Sequence, residues 1–306
     1  MSGMGENALE GASEQDATSS RHVSQIVAAL LATAAVVYAA WVGELILAWG
    51  DLDPVTSYVS ELSATGESAS GLWRAVDALA GTLVALASFL ALRQGRGRVA
   101  TVGPGRWRRR RGRPVADSSP DAAPATPTTA TPTTATPATF SAPSASAAGP
   151  SAVATSRLSP WPAIGWWALL VFGVATVFDA ANPLSCAATA DAACAAREAI
   201  GDVPLSHRIH TYTSSIAGAA LLLAVVVLTR VGAAERIPAA PFLVLAAGGY
   251  LLGTVWTLAE IAKVAPWPSL LGVAQRVQLI AGSAWLLGWG LSCVRTARQR
   301  APRAGV

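Results

Sequence analysis

Long apolar stretches alternate with polar segments along this 306-residue chain. Six of the apolar stretches contain about 20 residues, the length of an α-helix that crosses the hydrocarbon core of a bilayer. They lie at about 25–49, 72–92, 161–180, 207–231, 241–262 and 272–294. The pattern therefore predicts an all-α polytopic membrane protein whose six transmembrane helices form three hairpins.

The polar segments divide the chain further. We expect residues 1–22 to be a disordered N-terminal tail, followed by helices one and two within residues 23–92. Residues 93–158 open with arginines and continue as Ala/Thr/Pro/Ser repeats. Such a segment has little apolar surface to bury, so we expect a disordered cytoplasmic insertion. Helices three to six lie within residues 159–296, and residues 297–306 form a cytoplasmic tail.

Charge agrees with a membrane location and predicts an orientation. Only 13% of the residues are charged, whereas roughly 25% is usual in soluble proteins. The net charge of +4 comes from arginines beside the apolar stretches, so we predict no nucleic-acid partner. Basic loops alternate with acidic or nearly neutral ones, and the positive-inside rule then places both termini in the cytoplasm. Abundant Ala, Gly and Arg indicate a bacterial plasma membrane protein.

The basic run Arg106–Arg113 follows the first hairpin. It is either part of a linker without function or a site that binds anionic lipid headgroups. Each basic residue near the membrane surface would contribute about 1 kcal/mol to such binding. The lipid bilayer is the partner that the sequence predicts, and a protein partner stays unknown.

Two of the three cysteines, Cys186 and Cys194, share the loop between helices three and four. In the predicted orientation this loop faces an oxidising compartment, so we expect a disulfide. The alternative is a pair of free thiols.

The even-numbered helices share a short pattern, a polar residue followed four positions later by a glycine. The pairs are Asp77 and Gly81, Ser214 and Gly218, and Gln278 and Gly282. Residues four apart lie on one helix face, and glycine allows a neighbouring helix backbone to approach closely. We therefore expect three related hairpins with close helix contacts at the glycines.

Polar residues inside a membrane are costly and are commonly functional. The candidates here lie towards the predicted outer ends of the helices or in an outer loop, and Glu44, the deepest, has no charged partner nearby in the sequence. They are Glu44, Glu61, Asp77, Asp179, His207, His210, Ser214 and Glu260. This one-sided distribution predicts a polar cavity that faces outward between the helices.

Local roles compete with that interpretation. Asp77 can form an ion pair with Arg74, and Glu260 can do so with Lys263. Asp179 can simply cap or orient the turn that follows it.

His207 and His210 lie on adjacent turns and could ligate a metal ion, but a catalytic zinc needs a third protein ligand. Asp77, Asp179 or Glu61 could supply it. The simpler interpretation is that the histidines hydrogen-bond acids across the bundle, and we predict no cofactor.

The segments SYVSELSATGE, FDAANPLSC and SHRIHTYTS resemble the prokaryotic membrane family known as domain of unknown function 998. The resemblance covers about residues 25–92 and 159–296, with residues 93–158 as an insertion. It implies six helices and a shared site at Glu61, Asp77, Asp179 and His210, without a known activity. The chain also bears a weaker likeness to membrane hydrolases of the alkaline ceramidase type, but it lacks their third zinc histidine.

The sequence leaves three functions open. The favoured one is a membrane protein without enzyme activity that binds a lipid or a partner in the polar cavity. The alternatives are a membrane-embedded lipid hydrolase, with or without a bound metal, and a small-solute or proton-coupled transporter.

Overall fold

The computed structural model describes residues 3–47, 52–101, 160–263 and 269–299, and the regular structure in these ranges is helical throughout. A short 3-10 helix, Val59–Ser63, lies between α2 and α3. The α-helices are α1 (Gly3–Tyr38), α2 (Val42–Leu47), α3 (Ser70–Thr101), α4 (Trp161–Ala181), α5 (Ala192–Ala199), α6 (Leu205–Ala234), α7 (Ala240–Ile261) and α8 (Leu271–Gln299).

Six helical segments in these ranges are long and apolar enough to cross a membrane, which confirms the predicted number. They are Thr18–Leu45, Ser70–Gln94, Trp161–Ala181, Leu205–Ala234, Ala240–Ile261 and Leu271–Arg295. The protein is therefore an all-α, multi-pass integral membrane protein.

The two ends of the first hairpin differ from the expected boundaries. Helix α1 begins at Gly3, so residues 3–22 are helical where we expected a disordered tail. Alanine and glutamate, which favour helices, are frequent there. Helix α3 continues to Thr101. The rest of the predicted insertion, with Arg106–Arg113, lies outside the described residues, as do residues 300–306.

The six spans form a closed ring in chain order. Helix α1 packs against α3, α3 against α4, α4 against α6, α6 against α7 and α7 against α8. Helix α8 then packs against α1 and closes the ring. Since successive spans are joined at alternate ends, neighbours in the ring run antiparallel.

The interior of the ring is filled by apolar side chains along most of its length. Each span turns a stripe of buried residues, spaced three or four positions apart, towards this interior, as expected for helices packed on one face. The fully buried members include Leu31, Leu169, Leu221, Tyr250 and Trp285.

One end of the ring carries the loops at 52–69 and 182–204, and we call it the loop end. A second apolar cluster lies there, and Leu279 of α8 packs against it. Its members are Trp41, Leu52, Leu62, Trp73 and Ala187, and we call them the loop-end cluster.

The predicted disulfide is present between Cys186 and Cys194, whose Cα atoms lie 6.0 Å apart. It ties the loop after α4 to α5. Asp191 caps this short helix, because its Oδ1 accepts a hydrogen bond of 2.8 Å from the Ala193 amide.

The repeat glycines have different surroundings. A Cβ on Gly81 would lie 2.6 Å from the Gly173 carbonyl oxygen, so the expected close backbone contact is confirmed there. Gly282 faces the Tyr250 ring, at 3.1 Å from such a Cβ. At Gly218 the expectation was wrong, because nothing lies within 4 Å of that position.

Candidate functional site

One level of the ring, near its loop end, carries polar side chains from five of the six spans. Hydrogen bonds between side chains join neighbouring helices at this level. Ser214 Oγ lies 2.9 Å from each carboxylate oxygen of Asp179, and Gln278 Nε2 donates to Thr254 Oγ1 at 2.9 Å. The five residues are Asp77, Asp179, Ser214, Thr254 and Gln278, and we call them the polar layer.

Asp77 belongs to this level because of how α3 and α4 cross. Gly81 packs against Gly173, Thr176 and Val177. Asp77 precedes Gly81 by one turn, and in an antiparallel pair it therefore lies opposite the residues that follow Val177. These include Asp179, and the charges of Asp77 and Asp179 act on each other.

Asp179 is well supplied with hydrogen bonds. The Thr213 hydroxyl donates to its Oδ1 at 2.6 Å, and the Ser214 hydroxyl donates to the same carboxylate. His210 Nδ1 lies 3.4 Å from Oδ1. The position at the end of α4 and the inner stripe of α6 place these groups together, so the predicted pairing of a histidine with an acid across the bundle is found here.

His210 presents one satisfied and one free nitrogen. Its Nδ1 lies 3.1 Å from the Asn182 carbonyl oxygen and 3.3 Å from that of Asp179. Because these neighbours are acceptors, Nδ1 carries a proton. The residue is 3% exposed, and its buried Nε2 has no hydrogen-bond partner in the described part of the chain.

The Asp77 carboxylate differs from that of Asp179 in its hydrogen bonds. Among the described residues, no hydrogen bond or ion pair reaches its carboxylate, and the predicted pair with Arg74 is not formed. Arg74 Nε instead donates to the Ser70 carbonyl oxygen at 3.4 Å. Asp77 lies on the buried stripe of α3 with Ala80 and Gly81, and protein surrounds it almost completely, yet part of its side chain is accessible to water.

Tyr38 lies on the buried stripe of α1. Its ring contacts Phe172 edge-on, with 5.6 Å between centroids, and the charges of Asp77 and Asp179 act on its hydroxyl. Sequence reasoning missed Tyr38, Thr213 and Thr254. The only signal for Tyr38 was a polar tip on an otherwise apolar helix face.

Glu44 lies nearer the loop end and has a partner from the opposite end of the sequence. Its Oε2 lies 2.7 Å from Arg276 Nη2, and the two side chains are 5% and 8% exposed. Arg276 Nη1 also donates to the Ser57 carbonyl oxygen at 3.0 Å. This ion pair links α2 and α8 to the first loop.

Glu61 holds two loops together. Its carboxylate accepts hydrogen bonds from the amides of Thr189, at 2.8 Å, and Tyr58, at 3.0 Å, and from the Thr189 hydroxyl. Burial raises the pKa of Glu61 above its ordinary value of 4.5. Burial, and then the charge of Glu61, raise the pKa of Tyr58 to about 12.

His207 also contacts a loop. The Ser185 amide donates to its Nδ1 at 3.1 Å, so the ring proton lies on Nε2, which is 3.6 Å from a carboxylate oxygen of Glu198. His207 therefore turns towards the loop, whereas His210 turns towards Asp179.

Glu260 joins the last two spans at the loop end. Its Oε1 accepts from Trp256 Nε1 at 3.1 Å, and its Oε2 accepts from the Leu270 amide at 3.2 Å. Glu61, His207 and Glu260 thus bind loop backbone, and Glu44 holds the arginine that does so. Of the remaining candidates, Asp77, Asp179 and Ser214 belong to the polar layer, and His210 contacts it through Asp179.

The described residues contain no group of three or more His, Cys, Asp or Glu side chains arranged to hold a metal ion. In particular, the weak metal candidates His207, His210, Asp77 and Asp179 do not converge on one point there, because the two histidines face different partners.

No curated protein and no solved structure matches the chain. A family model described as "protein of unknown function (DUF998)" matches residues 133–292, which is just over half of the chain. The match includes Asp179, His210, Ser214 and Gln278. It begins within the expected insertion and leaves out the first hairpin, which we had included in the resemblance. The chain belongs to the DUF998 family of proteins of unknown function.

Proposed function

We propose that this protein binds a membrane lipid in the polar layer of the ring. The observation that carries the proposal is the Asp77 carboxylate, which lies on an inward-facing stripe without a hydrogen bond from the described residues. Buried carboxylates are normally paired, because an unpaired charge in an apolar environment is costly. A bound ligand would supply the missing partner.

Space for a ligand is supported by two partly accessible side chains. Asp77 and Tyr38 are partly accessible but lie on stripes whose other members are buried, which supports an accessible space inside the ring rather than on its lipid-facing side. The apolar core, with Leu31 and Trp285, lies beneath this level, and the loop-end cluster lies above it. Ligand sites between the helices of a bundle commonly combine apolar walls with a few polar groups.

A lipid is favoured over a soluble ligand by the packing of α6 and α7. These two helices pack less extensively than any other neighbouring pair in the ring. Gly218 of α6 lies at their contact, where the Tyr250 hydroxyl donates to its carbonyl oxygen at 3.4 Å. The open space beside Gly218 supports lateral entry from the bilayer.

For the orientation, we propose that the loop end faces outward in a bacterial plasma membrane. Arg230 and Arg236 lie at the opposite end of the ring, where the positive-inside rule expects basic residues. The polar layer would then lie within the outer leaflet and receive its ligand from there.

The test is native mass spectrometry of the protein purified in mild detergent. We expect wild type to retain a lipid, and Gly218→Leu to retain about tenfold less because the leucine fills the entry. Gly248→Leu is the matched control, since Gly248 also faces open space but lies among exposed residues of α7. Absence of retained lipid in wild type, or equal retention in all three proteins, would contradict the proposal.

The second candidate function, lipid hydrolysis, rests on the Asp179 and His210 pair. A carboxylate beside Nδ1 and a free Nε2 is the arrangement that orients a histidine general base. Nε2 has no nucleophilic side chain within hydrogen-bond distance among the described residues, so it would have to activate water. Release of fatty acid or headgroup from a lipid mixture, lost in His210→Ala, would support hydrolysis over binding alone.

Transport has less support than either. A transporter would use Glu44, Asp77 and Glu260, but Glu44 is engaged in an ion pair and Glu260 in loop contacts. A solute flux into liposomes that depends on Asp77 but not on Glu44 would support transport.

A further inference from the structure

We propose that the ligand of the polar layer carries a cationic amine, and that Asp77 forms the ion pair with it. This inference rests on the proposed function and adds the chemistry that the site recognises. It follows from the balance of charges and of hydrogen-bond donors around the layer.

The charges around the layer do not balance. Asp77 and Asp179 are two carboxylates that act on each other, and His210 is the only basic side chain found against either of them in the described ranges. Arg276 is engaged with Glu44, and Arg74 turns back to the Ser70 carbonyl. With both carboxylates ionised, even a charged His210 would leave one negative charge without a counterion.

Hydrogen-bond donors are also unevenly distributed between the two carboxylates. Asp179 receives the hydroxyls of Thr213 and Ser214 and faces His210, whereas Asp77 receives no donor from the described residues. An ammonium group offers three donors and no acceptor, so it complements a carboxylate that lacks donors. Pairing also removes the cost of a buried, uncompensated charge.

The aromatic neighbour fits the same ligand. Tyr38 lies on the inner stripe of α1 against Phe172 of α4, and its hydroxyl oxygen can accept a further ammonium hydrogen. A purely anionic headgroup would instead meet two carboxylates with a single histidine to offset them. The layer should therefore discriminate against anionic lipids that carry no amine.

The bound amine can belong to a lipid headgroup or to a free small molecule, and the experiment tests each source separately. The protein is placed in nanodiscs of phosphatidylglycerol, with or without phosphatidylethanolamine, and the retained lipid is measured by native mass spectrometry. In the other arm, ethanolamine is added to the phosphatidylglycerol nanodiscs and the unfolding temperature is recorded, since a ligand that binds the folded state raises it. The variants are Asp77→Asn, Asp77→Glu and, as the matched control, the exposed Asp202→Asn.

We expect wild type and Asp202→Asn to retain phosphatidylethanolamine about tenfold over phosphatidylglycerol. Asp77→Asn should lose the preference, and Asp77→Glu, which keeps the charge, should retain part of it. A rise in unfolding temperature with ethanolamine that Asp77→Asn abolishes would also support the inference and would identify a free amine as sufficient.

Two results would overturn the inference. One is the absence of any amine preference in wild type in both arms, a result that does not depend on whether a variant folds. The other is a preference that Asp77→Asn keeps, which would mean that Asp77 is protonated and takes no part. Lipid retained without headgroup preference would leave the lipid-binding proposal standing, whereas no retained lipid at all would remove that proposal too.

Discussion

Glu44 and Arg276 are 232 residues apart in the chain, yet a carboxylate oxygen of the first lies 2.7 Å from a guanidinium nitrogen of the second. The pair joins the first span to the sixth, where the ring of helices closes. Arg276 also lies over the Trp41 ring, with 5.8 Å to its centroid, which connects the ion pair to the loop-end cluster. Ring closure is thus fixed by a specific polar contact as well as by apolar packing.

Removal of one member of this pair should destabilise the protein strongly. In Arg276→Met, Glu44 would keep a buried charge without a counterion, and we expect the free energy of unfolding to fall by about 3–5 kcal/mol. The double variant Glu44→Gln with Arg276→Met removes both charges and should recover part of that loss. Chemical denaturation in detergent micelles measures both.

The matched control for this cycle is Glu235→Gln, an exposed glutamate at the other end of the ring, whose unfolding should match that of wild type. If the two single variants at Glu44 and Arg276 have additive effects in the double variant, the ion pair makes no specific contribution to ring closure.

Alanine substitutions at Gly173 and Gly218 should have opposite effects on the stability of the protein. A Cβ at Gly173 would lie 2.6 Å from the Ala85 nitrogen and from the Gly81 carbonyl oxygen, and backbone atoms cannot move aside cheaply. Gly173→Ala should therefore separate α3 from α4 and lower the unfolding temperature. Gly218→Ala meets open space and should be neutral or stabilising by up to about 1 kcal/mol, because alanine favours helices. Equal effects of the two substitutions on thermal unfolding would contradict the close contact between α3 and α4.

The sequence was sufficient for features that depend on local pattern and length. The number of spans follows from apolar lengths near 20 residues, and the position of His207 and His210 on adjacent turns follows from helical spacing. The disulfide of Cys186 and Cys194 follows from two cysteines in one loop.

Features that depend on which helices meet could not be predicted in this way. Gly81 and Gly218 have the same local pattern but different neighbours, since α4 packs tightly on α3 while α7 packs loosely on α6. The partner of Glu44 comes from the last span, and the ion pair that spacing allowed between Asp77 and Arg74 is not formed in the described part of the chain, where Arg74 turns to its own helix backbone.

The disulfide offers a test of orientation. In intact cells with Cys293→Ala, we expect a membrane-impermeant maleimide to label Cys186 and Cys194 only after treatment with an impermeant reductant, because the loop end would face the oxidising side. A cysteine introduced at the opposite end by Glu235→Cys should be labelled only after the cells are permeabilised. Labelling of Glu235→Cys in intact cells would reverse the proposed orientation.

Glu61 should make the stability of the loop end depend on pH. Burial raises the pKa of its carboxyl in the folded protein above the ordinary value of 4.5, so the folded protein holds this proton more tightly than the unfolded chain. The resulting stabilisation is complete below pH 4.5 and is lost as the pH rises through the folded-state pKa. Glu61→Gln cannot release a proton and does not lose this stabilisation. As the pH rises from 4.5 through the folded-state pKa, the unfolding temperature of wild type should therefore fall relative to that of Glu61→Gln. Thermal unfolding of both proteins from about pH 4 to about pH 8, with Glu235→Gln as the control, measures the change. Parallel curves for wild type and Glu61→Gln would show that Glu61 titrates alike in the folded and unfolded chains.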